Sequence, residues 1–115
     1  MGPLVLNIAD VRHTINVARA QAADDTLSRD DRDAAYQAAT STRTALAAAL
    51  TELAEHAQVR LEACAAIMER TDIPESDTFR AGDMRDAYEA IAADLRRAAA
   101  EAAAEAISDP AADAL

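Results

Sequence analysis

The sequence predicts an all-α fold, an antiparallel helical bundle or hairpin of three helices built around one long central helix. Three observations carry this expectation. Alanine, the strongest helix former, fills 33 of the 115 positions. Glycine and proline, which interrupt helices, total only five. Large apolar residues recur at steps of three and four, the spacing that gathers them on one helix face.

The first helix is expected over residues 7–23. Leu4, Ile8, Val11, Ile15, Ala18 and Ala22 follow one another at steps of 4, 3, 4, 3 and 4. This is a seam suited to lengthwise packing on another helix. Asn7 has the side chain of an N-cap, and Asp10 lies close to the positive end of the helix dipole. Asp24-Asp25 then oppose the dipole at the other end, so the helix stops there.

Ser28 is the expected cap of the second helix, with Asp30, Asp31 and Asp33 following it in the region that favours negative charge. No glycine or proline appears from there to Pro74. The seam continues through Tyr36, Ala39, Leu46, Leu50, Leu53, Ala57, Cys64 and Ile67, flanked by Leu61 and Met68 and interrupted by Arg43 and, close by, Arg60. Unbroken over residues 29–70, this helix has about 42 residues and a length of about 63 Å. The run Thr40-Ser41-Thr42-Arg43-Thr44 is its weak point: these are poor helix formers, and a break there makes four helices of three.

The connector is Thr71-Asp72-Ile73-Pro74-Glu75-Ser76, in which Pro74 disfavours helix at Ile73. The third helix is expected over 83–107, opened by Asp83 after Gly82. Met84, Tyr88, Ile91, Leu95, Ala98 and Ala102 make its seam, and Asp109-Pro110 its stop, leaving a frayed tail over 108–115. All of residues 1–115 fall in a single helical domain on this reading.

Composition narrows the function. The formal charge of -10 and a basic complement consisting of eleven scattered arginines argue against direct nucleic-acid binding. The absence of lysine suggests GC-rich coding DNA, as in actinobacteria or their phages. No apolar run approaches the roughly 20 residues of a membrane span. The first residues carry neither the basic nor the apolar part of a secretory leader. A cytoplasmic location is therefore expected.

Catalytic chemistry finds little footing, and no enzyme and no cofactor are expected. Cys64, the sole cysteine, lies on an apolar seam, where a thiol acts as a small hydrophobe. Gly2 and Gly82 cannot make a phosphate-binding loop. Asp10 with His13, and Glu52, Glu55, His56 and Glu62, are the acid-and-histidine groups that a metal-binding bundle would use. The Glu-x-x-His spacing of di-iron bundles does not occur.

The leading expectation is a non-enzymatic protein–protein interaction or assembly protein that works through helix–helix packing. The partners expected are a second copy of the chain, in a homodimer or higher assembly, and another protein. A long central helix beside shorter ones exposes part of its seam unless a second molecule covers it. The interface candidates are Ile8, Val11, Ile15, Leu46, Leu50, Leu53, Phe79, Tyr88, Ile91 and Leu95. Phe79 beside Arg80 has the composition of a binding anchor, or else plugs the bundle end. The alternative is an acidic regulator whose patch Asp24, Asp25, Asp30, Asp31 and Asp33 mimics nucleic acid and occupies a DNA-binding protein. A metal-binding bundle is the third reading.

In outline the chain resembles the small secreted helical hairpins that carry Trp-x-Gly at the turn. At the corresponding place it has Phe79-Arg80-Ala81-Gly82, and Tyr36 and Tyr88 are followed four residues later by Thr40 and Ala92 rather than by an acid. No property of that family is carried over.

Overall fold

The computed structural model describes residues 8–105, 107, 109 and 110. It is all-α: α1 spans Ile8–Ala22, α2 spans Arg29–Met68 and α3 spans Glu75–Ala104, with no strand among the described residues. The chain divides into two compact units, Met1–Leu46 with Ala102–Leu115, and Ala47–Glu101. α2 contributes residues to both.

In the first unit, α1 buries Ile15, Ala18 and Ala22, with Ile8 and Val11 half-buried. This is the seam expected from sequence, apart from Leu4 and the Asn7 cap, which lie outside the described residues. The α1–α2 link is closed by side chains. Ser28 Oγ accepts from Asp31 N–H at 3.1 Å, so Ser28 caps α2 as its position suggests. Arg32 Nε–H donates to the carbonyl of Ala22 at 3.2 Å, satisfying an acceptor that the end of α1 leaves open.

α2 runs without interruption through residues 40–44, so the described residues form three helices rather than four. Two features of that stretch bear on its packing. Arg43, the charged residue on the seam, reaches the backbone carbonyl of Glu105, so its head group is paired while its stem is half-buried. Thr40 Oγ1 is buried without a hydrogen-bond partner. The expected extension of α2 to residue 70 stops at Met68, and Glu69 and Arg70 close the end with turn-type bonds to Ala66 and Ile67.

The second unit is an antiparallel hairpin of the later part of α2 and most of α3. Arg96 donates to Gln58 Oε1 across it at 3.1 Å. Here the expected start of the third helix at Asp83 is corrected: α3 begins eight residues earlier, at Glu75. Pro74 sits immediately before the first turn, where its missing N–H costs nothing. Its carbonyl accepts from Asp77 N–H at 3.0 Å and from Thr78 N–H at 3.4 Å. Glu75 and Asp77 add negative charge where the dipole favours it. Pro74 thus opens α3, whereas α2 has already ended at Met68. α3 also ends earlier than the expected 107, at Ala104. Of the tail expected over 108–115, only Asp109 and Pro110 are described, and Pro110 is buried.

Gly82 accordingly lies inside α3, with no positive φ to require it. A Cβ built there meets only Met68 Cε at 3.4 Å and Met68 Sδ at 3.8 Å, the far end of a flexible side chain. Gly82→Ala is therefore expected to stabilise the protein by about 1 kcal/mol, the helix-propensity difference. A rise in thermal midpoint by circular dichroism checks this. A fall would show that Met68 cannot yield.

The core is largely alanine. Among the described residues, ten of the fourteen buried hydrophobic side chains are alanine, joined by Ile15, Leu46, Leu50 and Cys64. Small side chains at the contact let helix backbones approach closely, so dispersion between backbones and methyl groups replaces interdigitated leucines.

Candidate interaction surface

The interface candidates read from sequence separate into three groups. Ile15, Leu46 and Leu50 are buried within the chain and belong to its own core, which removes them from any surface. Ile8, Val11, Tyr88 and Leu95 are half-buried. Leu53, Ile91 and Phe79 are exposed, at 45%, 47% and 66%.

The rotation of the helices explains this sorting. In α3 the covered positions include Ala81, Arg85, Tyr88, Ala92, Leu95, Ala99 and Ala102, at steps of 4, 3, 4, 3, 4 and 3, with Thr78, Gly82 and Ala98 half-buried beside them. The seam expected from the large residues includes Met84 and Ile91, which stand on the flank of that stripe and remain exposed. In α2 the covered row runs through Leu50, Ala54, Ala57 and Cys64, so Ala54 rather than Leu53 takes the buried place between Leu50 and Ala57.

The exposed residues are unevenly distributed. Of the eight exposed large hydrophobic side chains among the described residues, seven lie in the second unit: Leu53, Val59, Ile67, Met68, Phe79, Met84 and Ile91. Val17 is the exception. Ile67 and Met84 line one cleft of about 340 Å³ at the turn end of the α2–α3 hairpin, together with Cys64, Ile73, Ala81 and the charged Arg70, Asp77 and Arg80. Leu53 lies two heptads from Ile67 on α2, and Ile91 one heptad from Met84 on α3. The exposed Arg60 occupies the α2 position midway between Leu53 and Ile67.

The cleft was not legible as a site, because a third helix starting at Asp83 leaves residues 77–82 outside any helix. Once α3 starts at Glu75, positions 77, 80, 81 and 84 fall on one helical face and build one wall. Arg70 is held at its rim by Asp72, with Nε at 2.9 Å and Nη2 at 2.6 Å from the two carboxylate oxygens. That guanidinium depresses the Asp72 pKa, and the carboxylate in turn raises that of Arg70. Cys64 is a buried free thiol.

Phe79 does not plug the end of the bundle, since two-thirds of it is exposed. Phe79→Ala is expected to change unfolding free energy by about 0.5 kcal/mol or less, as for an exposed side chain. A denaturant melt showing a loss several times larger would return Phe79 to the core.

The acidic residues are largely occupied with local structure. Asp24 Oδ1 accepts from Thr26 Oγ1 at 2.6 Å and from Thr26 N–H at 2.9 Å, which holds the Asp24 carboxyl below its ordinary pKa. Asp25 lies 3.9 Å from Arg32, and Asp33 4.0 Å from Arg29. Asp30 and Asp31 sit in the first turn of α2. The metal-ligand candidates are similarly dispersed. His56 Nε2 is 3.9 Å from Glu52 Oε1 on the exposed surface, and Glu62 accepts from Gln58 at 3.3 Å. Among the described residues, no group of three or more His, Cys, Asp or Glu could hold a metal ion, neither around Asp10 and His13 nor around Glu52, Glu55 and His56.

No helix among the described residues is long and apolar enough to cross a membrane. Compared with known proteins, the chain matches no family model, no curated protein and no solved structure.

Proposed function

We propose that this is a non-enzymatic protein–protein interaction or assembly protein acting through helix–helix packing. The observation that supports the reading is the cleft at the turn end of the α2–α3 hairpin, lined by the exposed Ile67 and Met84, in the unit that also exposes Leu53, Val59, Met68, Phe79 and Ile91. Exposed apolar surface costs free energy in water, and a partner helix laid against the cleft recovers it. A second copy of the chain and a different protein are both suitable occupants. The acidic-regulator alternative has weaker support, because Asp24, Asp25 and Asp33 already have partners within the chain.

A photocrosslinking side chain tests the reading in the cell that makes the protein. Placed at Met84, it is expected to give a discrete adduct, whose mass distinguishes a self-adduct from one with another protein. Placed at Glu89, which is exposed but turned away from Met84 on α3, it is expected to give none. Equal labelling from the two positions, or no adduct from Met84, overturns the proposal.

A further inference from the structure

We draw no further inference here: the strongest candidate, the apolar cleft at the turn end of the α2–α3 hairpin, carries Asp77 and Arg80 together on one wall, and nothing in the structure shows what covers it.

Discussion

Truncation of Leu50 to alanine is expected to cost about 2–5 kcal/mol, while the same change at Leu53 costs about 1 kcal/mol or less. The two leucines are three residues apart on one helix and differ only in what surrounds them. Leu50 is fully buried and is one of the two largest side chains with almost no exposure, the other being Ile15. Its removal forfeits the transfer energy of the lost carbons and leaves a cavity that an alanine-rich surround has few long side chains to fill. Leu53 already meets water over nearly half its surface, so truncation there removes less burial and leaves no enclosed void. Against a total stability of about 5–15 kcal/mol, the Leu50 loss takes a large share. Paired denaturant titrations check the contrast. Equal losses at the two sites would mean that Leu53 is covered in solution, and concentration-dependent midpoints would then identify self-association as the cover.

The second large effect is expected from adding volume rather than removing it. Ala92 is 1% exposed on the covered stripe of α3. Ala92→Leu brings three additional carbons into a contact made for a methyl group, so the helices must separate or the side chain must leave its preferred rotamer. The expected loss is about 1–3 kcal/mol, measurable as a lowered thermal midpoint. The substitution also raises the hydrophobicity of the stripe and preserves helix propensity. A reading based on apolar pattern alone therefore expects it to be neutral or stabilising. A raised midpoint would show that alanine at this position leaves space unfilled, and the close-packed account of the core would fail.

Both predictions arise where periodicity and packing diverge. The α1 seam was legible because Ile8, Val11 and Ile15 are its large residues. In α2 the expected seam is buried at Ala39, Leu46, Leu50, Ala57 and Cys64 but not at Leu53, where Ala54 takes the buried place instead. In α3 the difficulty is that alanine fits either face. The expected and covered stripes share Tyr88, Leu95 and Ala102, but Met84 and Ile91 stay exposed while Ala81, Ala92 and Ala99 are buried.

The turn between α2 and α3 shows the same limit in local form. Pro74 marks the connector after α2, but a proline in that position is equally compatible with the start of the next helix. What distinguished the two was the acceptance by its carbonyl of the Asp77 and Thr78 N–H groups, a bond pattern rather than a composition. The cleft residues depended on that outcome, since Asp77, Arg80, Ala81 and Met84 share a wall only once α3 starts at Glu75.

Helical class, three-segment order, the Ser28 cap and the α1 seam follow from the sequence by itself, because they rest on backbone propensity and on spacing over a few turns. The rotation of α2 and α3, and with it the division of Leu50 from Leu53 and of Ala92 from Ile91, came from tertiary structure. Alanine carries too little side chain to declare which way it faces, so the close fit between neighbouring backbones made that choice.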